Sequence, residues 1–231
     1  MIVVTGGTKG IGKAIIEKFA ANGHAIATCA RNESELLTLK KEIETNFKVK
    51  VYTQKADLSS REETALFIDF VNAIGEAIEI LVNNTGVFFP GEIHKEDDGF
   101  LEQQINTNLY SAYRITRGFI NEMIARKSGH IFNMCSVASF MAYPNGGSYA
   151  ISKHALYGFS KCLREEMKEF GVKVTSVLPG ATFTASWEGA GIPEKRFIKS
   201  EDVAEAIFSV YSLSENSVVE EITIRPQLGD I

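Results

Sequence analysis

Hydrophobic residues in this chain follow two alternating patterns. Short runs rich in β-branched residues are followed by longer stretches in which apolar positions recur every three to four residues. The short runs predict strands and the longer stretches predict helices. The predicted strands are 2–5, 24–30, 48–55, 78–83, 130–135, 172–178 and 218–225. The predicted helices are 10–21, 33–47, 60–75, 99–126, 149–170 and 200–213.

This alternation is typical of a parallel sheet with helices on both faces. Because crossovers between parallel strands are right-handed, we predict an α/β fold with a doubly wound, Rossmann-type sheet of about seven strands. Gly23, Gly129 and Gly171 stand at helix-to-strand junctions, where glycine commonly ends a helix. No repeat or linker-like segment divides the chain, so we expect residues 1–231 to form a single domain.

Composition and charge exclude several classes of function. With 45% hydrophobic and 23% charged residues, the 231-residue chain has the make-up of a globular protein with a sizeable core. A net charge of −5 and the lack of a basic stripe argue against binding of nucleic acid. The three cysteines lack metal-ligand spacing, and two of them lie in strand-like runs, which predicts reduced thiols and no metal site.

The start of the chain and its apolar runs bear on its location. Strand-like sequence begins at Met1, which leaves no room for a signal peptide. No apolar run approaches the ~20 residues of a membrane span. We therefore expect a cytoplasmic protein without a membrane partner. A Gly-x-Ser-x-Gly motif is absent from the sequence, which argues against an α/β-hydrolase.

Ser136, Tyr149 and Lys153 are the residues that most directly suggest chemistry. Tyr149 and Lys153 stand one turn apart in a predicted helix, so both side chains project from one face. A tyrosine with its ordinary pKa near ~10 is a poor acid or base at neutral pH, but a neighbouring ammonium favours the phenolate. A serine hydroxyl can hold the carbonyl oxygen that the tyrosine protonates. The three residues together indicate proton transfer within a carbonyl/alcohol pair.

A second pair with the same spacing, Tyr157 and Lys161, follows in the same helix. Thirteen residues before this tyrosine stands Pro144 rather than a serine. The second pair therefore lacks the group that would hold a carbonyl oxygen, and we expect it to have no catalytic role.

A glycine-rich turn, Thr-Gly-Gly-Thr-Lys-Gly-Ile-Gly, follows the first predicted strand and opens the first helix. Glycines at such a place let the backbone approach a pyrophosphate, which the helix N-terminus stabilises. A tight strand-to-helix turn without a ligand is the alternative. The candidate cofactor contacts here are Gly6, Thr8, Lys9, Gly10, Ile11 and Gly12.

The end of the second strand bears on the choice between NAD and NADP(H). An acidic residue there would bind the ribose hydroxyls of NAD and repel a 2′-phosphate. This strand ends at Arg31, and the first carboxylate after it is Glu33. With Lys9 in the glycine turn, the two cations favour NADP(H). A solvated surface cation is the alternative interpretation of Arg31.

Two further segments stand at carboxyl ends of predicted strands, the edge where such sheets bind ligands. Asp57 and Leu58 follow the third strand, and Asn84 and Gly86 follow the fourth. We expect these residues to contact the cofactor, although Asp57 would equally suit the N-cap of a helix.

In combination these motifs resemble the short-chain dehydrogenase/reductase family. The matching segments are Thr5-Gly6 with Gly10-Ile11-Gly12, Asp57-Leu58, Asn83-Asn84-Thr85-Gly86, Asn108, Ser136, Tyr149 with Lys153, and Pro179-Gly180 with Thr184. They occur in the family's order and span nearly the whole chain. Two positions depart from the commonest family pattern: Thr85 stands where alanine is usual, and Cys135 where serine is frequent.

The resemblance implies a role for each catalytic candidate. Ser136 would polarise the substrate oxygen, and Tyr149 would be the general acid in reduction. Lys153 would bind the nicotinamide ribose and lower the pKa of the tyrosine, while Asn108 would support a water that links Lys153 to solvent. The resemblance also implies nicotinamide-side contacts from Pro179, Gly180, Thr182 and Thr184.

The same resemblance implies that a segment at about 181–199 covers the substrate. The aromatic and aliphatic residues that we expect to line the substrate site are Phe88, Phe140, Met141, Tyr143 and Trp187. Such walls suit a small apolar carbonyl compound. The predicted function is therefore an NADP(H)-dependent oxidoreductase that interconverts a carbonyl and a secondary alcohol on a small molecule.

Two other functions share these motifs. A 3-oxoacyl-[acyl-carrier-protein] reductase would need a basic surface for its acidic carrier, and Arg126-Lys127 is the only obvious basic pair near the end of the fourth predicted helix; this pair also suits a helix C-terminus. A non-catalytic NADP(H)-binding sensor would be expected to lose Tyr149 or Lys153, and the sequence retains both.

The length of the predicted helices 99–126 and 149–170 bears on whether the chain forms oligomers. The helix 149–170 carries Leu156, Phe159 and Leu163 at helical spacing. This stripe either packs in the chain's own core or faces a partner subunit. The family resemblance favours a homodimer or homotetramer.

Overall fold

The computed structural model describes residues 1–184 and 191–231. The strands are β1 (Ile2–Thr5), β2 (Ile26–Ala30), β3 (Val51–Lys55), β4 (Ile80–Asn83), β5 (Gly129–Met134), β6 (Val172–Pro179) and β7 (Glu221–Ile224). The helices are α1 (Gly10–Ala21), α2 (Glu33–Phe47), α3 (Arg61–Ala73), α4 (Phe100–Ile105), α5 (Ser111–Arg126), α6 (Gly147–Met167) and α7 (Ser200–Tyr211).

The strands of the described residues form one parallel sheet in the order β3-β2-β1-β4-β5-β6-β7. The chain starts in the middle of the sheet, winds outward to β3, and then returns to wind outward on the other side to β7. This reversal between β1 and β4 creates a crevice at the carboxyl ends of these strands, where ligands bind in such folds. The doubly wound α/β fold is confirmed.

Two apolar layers hold the helices on opposite faces of the sheet. Because successive side chains of a strand point to opposite faces, Ile2 and Val4 pack with α1, α2 and α7, whereas Val3 packs with α3, α5 and α6. Both faces of β1 are fully buried, which explains its continuous apolar sequence. Leu156 and Leu163 of α6 are also buried within this chain, so most of the predicted stripe serves its own core.

The predicted helix 99–126 is interrupted in the structure. A π-helical turn, Asn106–Tyr110, separates α4 from α5. The extra residue of a π turn leaves the apolar spacing on either side nearly helical, so sequence periodicity alone predicts one long helix. The turn brings Asn108 to the sheet edge, where it is fully buried.

Several element ends also differ from the sequence prediction. β2, β3, β4 and β7 each begin two or three residues later than predicted. The carbonyls of Ala25, Lys50 and Glu220, just before three of these strands, still accept hydrogen bonds from neighbouring strands. Helix α6 begins at Gly147, two residues before the predicted start. Within the described residues, no helix is long and apolar enough to cross a membrane.

Candidate active site

Ser136, Tyr149 and Lys153 line a single cavity of about 380 Å³. Ser136 follows the carboxyl end of β5, while Tyr149 and Lys153 project from the first two turns of α6. The cavity lies at the edge of the sheet where β1, β4, β5 and β6 end. The structure therefore brings together the three residues that sequence reasoning selected.

Local backbone geometry fixes the position of Ser136. Its hydroxyl accepts a hydrogen bond of 3.1 Å from the Ala138 N–H, and its own N–H donates to Ser139 Oγ at 3.2 Å. These bonds form a capping box at the start of a short 3₁₀ helix, Val137–Ser139. Ser136 is 9% exposed and lines the cavity.

Tyr149 is an un-ionised phenol at neutral pH. Burial raises the pKa of Tyr149 to about 12, although its hydrogen bond with Ser136 acts in the opposite direction. Its ring meets the edge of the Phe88 ring, with centroids 4.8 Å apart and planes at 75°. The phenol is therefore held beside Ser136 in the form that can donate a proton.

Lys153 is buried in the cavity wall with 6% of its surface exposed. Its ammonium donates a hydrogen bond of 2.8 Å to the Met134 carbonyl, and burial lowers the pKa of Lys153 to about 8. Its Nζ atom lies 5.8 Å from the centroid of the Tyr149 ring. Burial has the largest effect on the pKa of Tyr149, and the lowering of that pKa by Lys153 remains a prediction.

Asn108 contacts the segment that follows β4. Its Oδ1 accepts from the Val87 N–H at 2.7 Å, and its Nδ2 donates to the Val87 carbonyl at 3.0 Å and to Ser152 Oγ at 2.9 Å. These bonds tie β4, the π turn and α6 together. The water relay expected for Asn108 remains a prediction, whereas its positioning contacts are direct.

The second tyrosine–lysine pair lies outside the cavity. Tyr157 donates its phenol hydrogen to Glu221, and Lys161 lies 3.4 Å from the same carboxylate. The Lys161 ammonium also stands over the Tyr157 ring, 4.2 Å from its centroid. These residues form a surface cluster outside the cavity, and their lack of a catalytic role remains a prediction.

The glycine turn has the shape of a phosphate cradle. Gly6 and Gly10 have φ values of +68° and +53°, which favour glycine. A Cβ at Gly12 would overlap the Gly6 carbonyl and lie 2.6 Å from Asn84 Nδ2. No side chain caps the first turn of α1, which leaves its N–H groups available to an anion. The turn therefore fits the pyrophosphate of a dinucleotide.

A groove of about 980 Å³ extends from this cradle across the ends of β1 to β4. Of the predicted cofactor contacts, the groove is lined by Gly6, Thr8, Lys9, Gly10, Ile11, Gly12, Arg31, Asp57, Leu58, Asn84, Gly86 and Thr184. The remaining ones, Tyr149, Lys153, Pro179, Gly180 and Thr182, line the cavity. Ile11, Asn84, Gly86 and Thr184 border both spaces, so the groove and the cavity adjoin.

Two polar side chains at strand ends have defined partners. Asn84 Nδ2 donates to the Thr5 and Gly6 carbonyls at 2.9 and 3.0 Å, which fixes the glycine turn against β4. Asp57 Oδ1 accepts from the Ser59 N–H at 3.0 Å. The N-cap of α3 is Ser60, so the alternative interpretation of Asp57 as that cap is wrong.

The two predicted cations lie in the groove with an acidic neighbour. Lys9 and Glu35 form an ion pair of 2.8 Å, and Arg31 borders the same space. The hydrogen bond from Lys9 lowers the pKa of Glu35. Sequence reasoning missed this carboxylate because it belongs to the first turn of α2 and follows the strand end by five residues.

The predicted substrate wall is present in part. Phe88, Met141 and Tyr143 line the cavity. Phe140 is 47% exposed and stands outside the cavity wall, so its prediction is wrong: it ends the 3₁₀ helix after Ser136 and faces solvent. Trp187 lies outside the described residues. Asp230 also lines the cavity, and no local sequence pattern pointed to it.

Comparison with known proteins identifies the family. A family model described as short chain dehydrogenase matches residues 1–194. An uncharacterized oxidoreductase of Staphylococcus saprophyticus is 30% identical over 226 residues, which cover 97% of this chain and 96% of that protein. The uncharacterized oxidoreductase YvrD of Bacillus subtilis is 37% identical over 184 residues, which cover 80% of this chain and 69% of YvrD.

Solved structures resemble the whole chain. An alcohol dehydrogenase from Thermococcus sibiricus in complex with 5-hydroxy-NADP has a TM-score of 0.90 at 25% identity, with 98% of this chain and 96% of that chain covered. L-sorbose reductase from Gluconobacter frateurii in complex with NADPH and L-sorbose has a TM-score of 0.88 at 26% identity, with coverages of 97% and 94%. Together with the family-model match, the fold and the geometry of the site, these likenesses show that this chain is an enzyme of the short-chain dehydrogenase/reductase family.

Proposed function

We propose that this enzyme is an NADP(H)-dependent oxidoreductase that interconverts a carbonyl and a secondary alcohol on a small substrate. The observation that carries the proposal is the convergence of Ser136, Tyr149 and Lys153 in one cavity that adjoins a glycine-turn groove. The cavity supplies a proton donor and an oxygen-binding hydroxyl, and the groove fits a dinucleotide. This division is the one that carbonyl reduction with a nicotinamide requires.

Each side chain of the cavity has a distinct task in this proposal. The Ser136 hydroxyl, fixed by the capping box, holds the carbonyl oxygen of the substrate within reach of the phenol. Tyr149, whose pKa lies at about 12, donates its proton to that oxygen as negative charge develops on it. The Lys153 ammonium, 5.8 Å from the centroid of the Tyr149 ring, would favour the transient anionic form of the phenol.

A bound nicotinamide would supply the hydride. The glycine turn and the free N–H groups of α1 would hold its pyrophosphate. Pro179, Gly180, Thr182 and Thr184 line the cavity, and Thr184 also borders the groove. Lys9 and Arg31 at the far end of the groove favour a 2′-phosphate over a bare ribose. The NADP and NADPH complexes of similar structures support this choice.

The position of Arg126 supports small free carbonyl compounds as substrates over carrier-bound thioesters. Arg126 belongs to the opposite edge of the sheet: it pairs with Glu122 and donates a hydrogen bond of 2.6 Å to the carbonyl of Ile78, just before the amino end of β4. A carrier protein docked there would be remote from the cavity at the carboxyl ends. These contacts support a structural role for Arg126 at the end of α5 rather than a role in docking a carrier.

The proposal is tested by NADPH oxidation with matched substrates. The panel contains simple ketones, diketones, ketoses, and acetoacetyl thioester both free and carrier-linked. We expect turnover of free ketones or diketones with NADPH and little with NADH. A large preference for the carrier-linked thioester, lost when Arg126 and Lys127 are neutralised, would establish the reductase of acyl-carrier-protein substrates instead. NADPH binding without turnover of any carbonyl would indicate a sensor.

We further propose that the protein is cytoplasmic and acts as a homodimer or homotetramer. The family resemblance and exposed aromatic residues on the outer side of the π turn and α5, Tyr110 and Tyr113, support an assembly.

A further inference from the structure

The segment from Val87 to Glu96, here called the clamp segment, runs from the end of β4 past the cavity to the start of α6. Two side chains from outside the segment hold its first half. Asn108 bonds both backbone groups of Val87, and the fully buried Gln104 bonds both backbone groups of Phe89 at 3.4 Å. The first half of the segment is therefore tied to α4 and the π turn.

The second half of the clamp segment is tied to α6 by Glu96. Its Oε1 accepts a hydrogen bond of 2.9 Å from the Ser148 N–H, and the Ser148 hydroxyl donates to its Oε2. Ser148 is 2% exposed and directly precedes Tyr149 in the chain. A backbone bond of 3.0 Å from the Gly91 N–H to the Asn145 carbonyl fastens the two segments beside this contact.

The packing of Glu96 against α6 is close enough to require glycine. Gly147, the first residue of α6, has a φ of +35°, and a Cβ there would overlap both the Glu96 carboxylate and the Gly91 carbonyl. The preceding residue, Gly146, provides no side-chain cap. Glu96 thus supplies, from 52 residues away in the chain, the acceptor that α6 lacks at its N-terminus.

The clamp segment also touches the side chain of Tyr149. Phe88 packs its ring against the tyrosine ring, while Glu96 binds the backbone one residue before it. One segment therefore constrains both the ring and the first helical turn of this tyrosine. Because a misplacement of about 1 Å can cost roughly 10²-fold in rate, this restraint bears directly on proton transfer.

We propose that Glu96 is a positioning residue that fixes the first turn of α6 and so aims the Tyr149 phenol at the substrate oxygen held by Ser136. The inference rests on the proposed function of Tyr149 as the proton donor. Glu96 acts through Ser148 and transfers no proton itself.

Variants at Glu96 separate hydrogen-bonding geometry from charge. Glu96→Ala leaves the Ser148 N–H and hydroxyl without their partner, whereas Glu96→Gln keeps an acceptor for the N–H and a donor for the hydroxyl oxygen. Asp98→Ala is the matched control, since Asp98 is an exposed acid two residues away that makes no bond to α6 among the described residues. Ser148→Ala removes one of the two bonds and serves as a milder test should Glu96→Ala fold poorly.

We expect Glu96→Ala to lower kcat on the order of 10- to 100-fold while the Kd for NADPH stays within about twofold. Glu96→Gln should restore kcat to within a few fold, Ser148→Ala should have an intermediate effect, and Asp98→Ala should match the unmodified enzyme. Equal kcat for Glu96→Ala and Asp98→Ala would overturn the proposal, as would Glu96→Gln being as slow as Glu96→Ala.

Amide hydrogen exchange tests the same inference without turnover. The amides of residues 147–150 should exchange faster in Glu96→Ala than in the unmodified protein or Asp98→Ala, with α7 unchanged. Unchanged exchange at 147–150 would overturn the proposal. An unmodified enzyme that reduces no carbonyl compound would contradict the proposed function instead, and the exchange result would still decide whether Glu96 fixes this turn.

Discussion

Tyr149 and Tyr157 are the same side chain on the same helix, and each has a lysine four residues later. They differ in surroundings: one phenol stands beside Ser136 in a cavity, and the other binds Glu221 at the surface. We therefore expect catalysis to depend on the serine that the sheet edge brings to the phenol, rather than on the tyrosine–lysine spacing alone.

The first prediction compares these two tyrosines. Tyr149→Phe removes the proton donor, so carbonyl reduction should fall roughly 10²–10⁴-fold while NADPH binding is retained. Tyr157→Phe loses only a surface hydrogen bond and should be nearly silent. Steady-state kinetics and cofactor titration of both variants provide the measurement. Similar losses in the two variants would show that the site is wrongly assigned.

Lys153 gives the site a predictable pH dependence. Its pKa of about 8 means that the ammonium is present below that pH and is lost as the pH rises through it. Tyr149, with a pKa of about 12, stays protonated throughout this range. We therefore expect kcat/KM for NADPH, which reports on the free enzyme, to fall above about pH 8.

A lysine-to-arginine exchange is the control for this pH dependence. In Lys153→Arg the guanidinium stays charged to high pH, so the decline near pH 8 should disappear from the activity that remains. A profile of the unmodified enzyme that is flat to pH 10 would refute the assignment to Lys153.

We expect single residues to determine cofactor choice as well. Replacement of both Lys9 and Arg31 by Ala should weaken NADPH binding roughly five- to thirtyfold and leave NADH binding almost unchanged. The ion pair between Lys9 and Glu35 adds an internal control. Glu35→Gln frees Lys9 and removes a negative charge from the groove, so it should tighten NADPH binding. Comparable catalytic efficiency with both cofactors in the unmodified enzyme would contradict this prediction.

At the level of elements, α1 and α6 carry the site, and both begin at a glycine. α1 approaches the glycine turn so closely that Gly12 has no room for a side chain. Gly158, by contrast, is an exposed residue inside α6 with nothing within 4 Å of where a Cβ would stand. The two glycines therefore differ in what alanine would do.

Substitution of these glycines is predicted to have opposite effects on stability. Gly12→Ala should lower the free energy of unfolding by about 1–3 kcal/mol through overpacking and should weaken NADPH binding. Gly158→Ala should raise the free energy of unfolding by about 0.5–1 kcal/mol because alanine has a higher helix propensity than glycine. Denaturant titrations without cofactor measure both changes. Destabilisation by Gly158→Ala would show that this face of α6 is covered in solution.

The elements also show how much of the fold can be predicted from the sequence. Helices α1 and α2 and strand β1 have the predicted bounds because local patterning and turn chemistry specify them. The π turn could not be predicted because one extra residue barely changes the apolar spacing. The contacts of Glu96 and Gln104 could not be predicted either, since hydrogen bonds between residues far apart in the chain leave no local sequence pattern.

In the whole molecule, the candidate functional site and purely structural contacts lie at opposite ends of the strands. The carboxyl ends of the strands carry the groove, the cavity and the clamp segment, whereas the amino ends carry structural contacts such as the bond from Arg126 to the Ile78 carbonyl. Motifs from positions 5 to 184 meet at one edge because every strand of the sheet runs in the same direction.

For the whole protein we predict a homo-oligomer. The stripe of α6 is largely buried within the chain, so the prediction now rests on the family and on exposed aromatic residues of the π turn and α5, Tyr110 and Tyr113. Light scattering at micromolar concentration should give the mass of two or four chains of 25.4 kDa. A monomer under these conditions would overturn it.

The lowered pKa of Lys153 also shapes the covalent chemistry of the protein. At pH 7 an amine with a pKa of about 8 is unprotonated in roughly a tenth of the molecules, whereas an ordinary lysine is unprotonated in fewer than about one in a thousand. Only the free amine attacks an electrophile. A small amine-directed acylating reagent that fits the cavity would therefore modify Lys153 ahead of the solvent-facing lysines, and whatever fills the cavity would protect it.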